Sequence, residues 1–168
     1  MDNLLRPWRP DDAPIVLAAA GEPMMDRQFA SVLDSLDAAA DWIELMALRR
    51  AEDTAYSFAV LAGGAPVGNI AVSSVDRRHL TGWISYWMRE ESRGKGLATR
   101  ACREISEWAF TELGLFRLEL AHRVDNPASC RVAVGAGFVA EGLERARLLY
   151  DGERFDTERH ARLATDPA

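Results

Sequence analysis

Apolar and polar positions change period several times along the chain, and those changes divide it into elements. Leu4-Leu5-Arg6-Pro7-Trp8-Arg9 reads as a short strand, which Pro7 assigns to a sheet edge. Asp11 and Asp12 then offer acidic caps for an apolar run over residues 15–20. Gly21-Glu22-Pro23 breaks that run, and residues 24–33 show neither period. Leu36, Ala40, Ile43 and Ala47 recur at helical spacing in residues 36–51. Residues 55–61 and 67–72 are strand-like around the turn Gly63-Gly64-Ala65-Pro66, which makes a hairpin. Residues 81–88, with Trp83, Ile84, Tyr86 and Trp87, add a third strand to this meander. From Leu97 the helical period returns. Leu97, Ala101, Ile105, Trp108 and Ala109 share one face, Arg100, Arg103, Glu104 and Glu107 the other, and Gly114 marks the stop.

Residues 116–124 alternate as a strand, so strand, helix and strand form a βαβ unit with one parallel pair. Asn126-Pro127 reads as an N-cap followed by proline at the first helical position, opening a helix through Val134 that ends at Gly135 and Gly137. Residues 138–143, 145–150 and 154–163 read as closing strands, with Asp151-Gly152 as a hairpin turn. The pattern predicts an α/β protein with a mixed sheet. It spans residues 1–168 as a single domain, a length suited to one core.

The stretch Glu91-Ser92-Arg93-Gly94-Lys95-Gly96-Leu97-Ala98-Thr99-Arg100 lies where a strand gives way to a helix. Glycines there let the backbone turn tightly with its N–H groups outward, beside the positive end of the new helix; that is an anion cradle. Lys95, the single lysine among 20 basic residues, falls inside it next to Arg93. A βα turn with no ligand carries the same glycines, and the loop by itself leaves both readings open.

Composition narrows the choice of partners. A formal charge of −6 and a pI near 5.1 argue against a general nucleic-acid binder, and no stretch approaches the length of a membrane span. The opening Met1-Asp2-Asn3 lacks the basic start of a leader, so a soluble, cytoplasmic protein is expected. Cys102 and Cys130 have no metal-ligand spacing and read as reduced thiols, with no metal site expected. Exposed strands and tryptophans leave room for a homodimer.

Arg93-Gly94-Lys95-Gly96-Leu97-Ala98 resembles the Arg/Gln-x-x-Gly-x-Gly/Ala signature of the GNAT superfamily of acyl-CoA N-acyltransferases. Asn126-Pro127-Ala128-Ser129, then Gly137-Phe138-Val139-Ala140-Glu141-Gly142 and Asp151-Gly152 with Asp156, are similar to its RimJ/RimL-like branch, which includes acetyltransferases of ribosomal-protein N-termini. The opening Leu5-Arg6-Pro7-Trp8-Arg9-Pro10-Asp11-Asp12 resembles the same branch. The resemblance implies the GNAT fold: a central mixed sheet of about 6–7 strands, splayed in the middle and flanked by about 4 helices.

It also implies roles. Backbone amides across Arg93, Gly94, Lys95, Gly96, Leu97, Ala98 and Thr99 would hold the pyrophosphate of acetyl-CoA, with the pantetheine arm lying along Trp87, Met88 and Arg89. Asn126 and Ser129 would touch the pantetheine and its thiol end, and Arg131 the adenosine phosphates. Each has a plainer reading: Asn126 as an N-cap, Ser129 as part of the first helical turn, Arg131 as a solvated side chain. The chemistry implied is direct attack of a primary amine on the acetyl thioester, with a backbone N–H such as that of Met88 stabilising the oxyanion. Ser129 or Tyr150 would hydrogen-bond the leaving sulfur. Relatives often carry Glu-Ile-Gly-Tyr-Trp before the cradle, the glutamate being a candidate base, whereas this chain has Trp83-Ile84-Ser85-Tyr86-Trp87. Trp83 takes no proton, so Glu141, Asp125, Asp156, His122 or a water chain is left for that role. Cys130 reads as structural, and His160 as an exposed or strand-packed side chain. The acceptor is expected to be a protein N-terminal α-amine. A small amine, a succinyl donor and a non-catalytic CoA-binding module are the alternatives.

Overall fold

The computed structural model describes residues 4–23 and 25–167, so the reading of Met1-Asp2-Asn3 and of Met24 lies outside the described residues. The described residues form seven strands and four α-helices: β1 Leu5–Pro7, α1 Ala13–Ala20, α2 Leu36–Ala51, β2 Tyr56–Ala62, β3 Ala65–Asp76, β4 Thr81–Met88, α3 Leu97–Thr111, β5 Arg117–Arg123, α4 Pro127–Gly135, β6 Val139–Tyr150 and β7 Glu153–Leu163. The strands make one sheet in the order β1-β2-β3-β4-β5-β7-β6. Among the described residues only β4 and β5 run parallel, and they pair over Thr81↔Arg117, Gly82↔Leu118 and Trp83↔Glu119 alone. Beyond Trp83 the two strands part, and the sheet opens into a fork.

Alternation in the strands feeds two cores. One, against α3 and α4, contains Ile70, Val72, Ile84, Met88, Ile105, Leu118, Leu120 and Phe138. The other, against α1 and α2, contains Trp8, Val16, Phe29, Ile43 and Trp87. Its aromatic rings pack edge to face or tilted, with Trp87 5.5 Å from Phe29 and 6.0 Å from Trp8.

Three local expectations change. Asp12 does not cap α1. Its buried carboxylate instead takes two bonds from the Arg6 guanidinium, at 2.6 and 2.8 Å, and one from the Arg9 N–H at 2.9 Å, which ties β1 to the start of α1. Val139–Tyr150 form a single strand, β6, with two irregularities of register where two strands were expected. The bend falls at Ala146, whose φ is +52° and whose N–H donates to Asp156 at 2.7 Å. Finally, His160 is strand-packed and 1% exposed, which removes the exposed alternative.

Candidate active site

The mouth of the fork is formed where β4 hands over to α3. A short 3-10 turn at Glu90–Ser92 is anchored by Glu22, whose carboxylate accepts from the Glu90 N–H at 2.7 Å and from Arg89 Nε at 3.0 Å. Glu22 stood out in no sequence motif; its role depends on a fold contact 68 residues away. Gly94 and Gly96 follow with φ of +74° and +71°, the left-handed region that glycine adopts without strain. A Cβ placed at either would meet no protein atom within 4 Å, so their surroundings are open. Gly96 is the N-cap of α3 and supplies no capping side chain. The first-turn amides from Leu97 to Thr99 therefore keep their donors for an incoming anion. Arg93, Lys95 and Gly94 are exposed around them. The Leu97 and Ala98 side chains pack on the core, and Thr99 lies against Gly135 of α4, so these three offer backbone rather than side-chain contacts.

Inside the fork, register determines which groups face the opening. The Arg89 N–H donates to Val67 at 2.9 Å, and Asn69 pairs with Trp87. Antiparallel alternation then turns the main-chain groups of Trp87 and Arg89 toward β3, and those of Tyr86 and Met88 toward β5. Of the three positions expected to line the pantetheine arm, Trp87 and Met88 at the end of β4 and Arg89 just beyond it, Met88 alone has this orientation. The Trp87 side chain is in the aromatic core, and Arg89 is bound to Glu22 and Glu91. Arg93 Nε donates to the Met88 carbonyl at 3.0 Å, which leaves the Met88 N–H directed at the gap.

Two contacts bridge the fork. On the α4 side, the Tyr86 hydroxyl donates to Ser129 Oγ at 3.0 Å. Burial pushes Tyr86 up to about 12, the Ser129 contact only partly opposing it, so at neutral pH this phenol is a proton-bearing donor. Asn126 Oδ1 caps α4 by accepting from the Ser129 N–H at 3.1 Å, which fixes the serine's position. On the opposite face, Arg27 donates to Asp151 at 2.8 Å and lies over the Tyr150 ring at 4.5 Å. Arg27 belongs to the segment packed on β4 through Phe29 and Trp87, while Tyr150 and Asp151 form the tip of the β6–β7 hairpin. The hairpin therefore reaches across the fork, as a role for Tyr150 requires. Arg131 is exposed on α4.

The candidate bases are otherwise engaged. Glu141 stands at the closed end of the fork, bound at 2.9 Å by Arg117, which holds its carboxyl below the usual range. That placement removes Glu141 from the reacting end. Asp125 is paired with Arg123 and is likewise lowered, and Asp156 is used to bend β6. Tyr86, given no role in the sequence reading although it matches the tyrosine of the Glu-Ile-Gly-Tyr-Trp pattern, is the residue that reading missed; the match and its alternation toward α4 were the available signals.

A split parallel pair, an open backbone turn at its mouth and polar groups along its throat make a groove whose shape and polarity suit an extended ligand with an anionic tail. The profile of the acetyltransferase (GNAT) domain family matches residues 3–139, and the chain belongs to that family. It is 35% identical over 97 residues to YdaF of Bacillus subtilis (strain 168), a protein provisionally named as a ribosomal N-acetyltransferase, covering 58% of this chain and 53% of that one. The chain spans about half the length of the curated relatives it matches. A solved structure described as that of a probable acetyltransferase superposes with a TM-score of 0.83 at 28% identity, covering 95% of this chain and 91% of the other. RimL, a ribosomal L7/L12 α-N-protein acetyltransferase solved with coenzyme A, shares the fold with a TM-score of 0.84 at 17% identity, covering 95% and 92%. Among the described residues no helix is long and apolar enough to cross a membrane.

Proposed function

We propose that this chain is an acetyl-CoA-dependent N-acetyltransferase acting on a protein N-terminal α-amine by direct attack within a ternary complex. The observation that carries this reading is the fork whose β4–β5 pairing stops at Trp83↔Glu119, with the left-handed turn of Gly94 and Gly96 at its mouth. Acetyl-CoA supplies an activated acetyl thioester. The open amides of the turn and of the α3 N-terminus bind its phosphates, with Arg93 and Lys95 beside them. The Met88 N–H stabilises negative charge on the carbonyl oxygen as the amine adds. Tyr86 donates to Ser129 and thereby frees the serine's own proton to hydrogen-bond the departing sulfur.

The acceptor class follows from the bases. With Trp83 in place of an acid, Glu141, Asp125 and Asp156 engaged, and His122 buried against His160 and Glu158, an amine that arrives largely unprotonated is favoured. About a tenth of an α-amine is neutral at pH 7, against under about a thousandth of a lysine side chain, so the α-amine needs least assistance. The ribosomal assignment of YdaF supports a ribosomal protein as the acceptor.

The test follows thermal stability during acetyl-CoA and succinyl-CoA titration, then thiol release with peptides bearing ribosomal-type N-termini, the same peptides N-blocked, and spermidine. A shift with acetyl-CoA that Gly96→Val weakens at least about tenfold, and turnover only with free N-termini, is the expected result. Binding without turnover of any amine makes the chain a CoA-binding module. Turnover of spermidine alone moves the acceptor to small polyamines.

A further inference from the structure

Four side chains distant in sequence converge under α4: His122 on β5, Cys130 on α4, and Glu158 and His160 on β7, with one donor atom from each lying within 4.8 Å of all the others. We infer that they form a binding site for a divalent transition-metal ion of the zinc class. The donor atoms are spaced for it. His122 Nε2 and His160 Nε2 are 3.0 Å apart, Glu158 Oε2 lies 2.9 Å from His160 Nε2 and 3.4 Å from His122 Nε2, and Cys130 Sγ is 3.8 Å from that oxygen. Tetrahedral zinc, with about 2.0–2.1 Å to nitrogen or oxygen and about 2.3 Å to sulfur, requires edges of roughly 3.3–3.6 Å.

Proton bookkeeping points the same way. His122 Nδ1 lies 2.9 Å from the Arg123 carbonyl, which can only accept, so Nδ1 carries the proton and the Nε2 lone pair faces the cluster. That lone pair and the Glu158 carboxylate, two acceptors 3.4 Å apart, then share a single N–H from His160. A cation at their centre engages all of them. Binding moves the His160 proton from Nε2 to Nδ1 and releases the Cys130 thiol proton to water, and the resulting thiolate with the Glu158 carboxylate balances a 2+ ion. Two nitrogens, one sulfur and one oxygen suit zinc better than calcium or magnesium. His122 and His160 are buried, whereas Glu158 and Cys130 are partly exposed and give the ion a way in. His160 Nδ1 is buried without a partner, so this ligand lacks the support His122 has, and affinity falls roughly 10–100-fold below a fully supported site. Bound there, the ion joins α4 to β5 and β7 and so fixes the helix that carries Ser129.

The test uses the full chain stripped with chelator and titrated with zinc or, as a spectroscopic stand-in, cobalt. One equivalent per chain should bind, with visible d–d bands of tetrahedral cobalt and a thiolate-to-cobalt charge-transfer band. The thermal midpoint should rise by about 5–10 °C at a hundredfold excess over Kd. Cys130→Ser should lose the charge-transfer band, and Glu158→Gln should weaken binding; both positions are partly exposed, so these variants keep the fold. His79→Ala, at an exposed loop histidine, should change nothing. No binding by the stripped protein, or binding and spectra unaltered by Cys130→Ser and Glu158→Gln, would overturn the site.

Discussion

A single hydroxyl–hydroxyl contact gives the candidate site its polarity. The Tyr86 hydroxyl donates to Ser129, burial keeps that phenol protonated, and the serine proton is left to turn toward the gap. Tyr86→Phe and Ser129→Ala should each lower kcat about 5–10-fold, the worth of one hydrogen bond of about 1–1.4 kcal/mol, with little change in thermal midpoint. The double variant should lose little more than either single one, because both remove the same relay; steady-state thiol release measures all three. Ser129 was legible from its motif and Asn126 from its capping position. The role of Tyr86 was not, because what sets it is the partner that α4 brings to it. His122 and His160 were hidden for the same reason: their ligand-like convergence needs β5 and β7 side by side, and no spacing within one element encodes that.

At the scale of elements, the Arg6–Asp12 clamp decides how the chain enters the sheet. Burial pushes Asp12 up, but the Arg6 and Arg9 contacts outweigh it and leave its pKa below 3.8 in the folded state. A group depressed in this way contributes its stability above its unfolded pKa and loses it as pH falls through the folded value. Arg6→Ala should therefore cost about 2–4 kcal/mol at neutral pH, and the difference from the parent should shrink in acid below about pH 4; urea titrations across that range would record it. The strand and helix boundaries here were mostly readable, since residues 36–51 and the β2–β3 hairpin carry strong periods and a two-glycine turn. What failed was the reading of β6, where a bulge at Ala146 interrupts the alternation of one continuous strand. An interrupted period looks like two short strands until the partner's register is known.

For the molecule as a whole, the β6–β7 hairpin is a span between the two halves of the sheet. Its contact rests on Arg27 and an Asp151 whose side chain is 88% exposed, so the ion pair itself contributes well under about 1 kcal/mol. Arg27→Ala should leave the thermal midpoint within about 2 °C, yet speed proteolytic cleavage near the hairpin tip, as gel-resolved limited digestion would show. The fork has one further consequence, for self-recognition. Interior strand edges with unspent hydrogen-bonding groups are what stray polypeptides pair with, the usual route to aggregates. A third strand would need about 4.8 Å on each side along its whole length, and edges that diverge after Trp83 offer that spacing to both sides nowhere for long. The opening thus tolerates a slender chain that changes partners along its course while refusing the flat ribbon of a neighbouring protein.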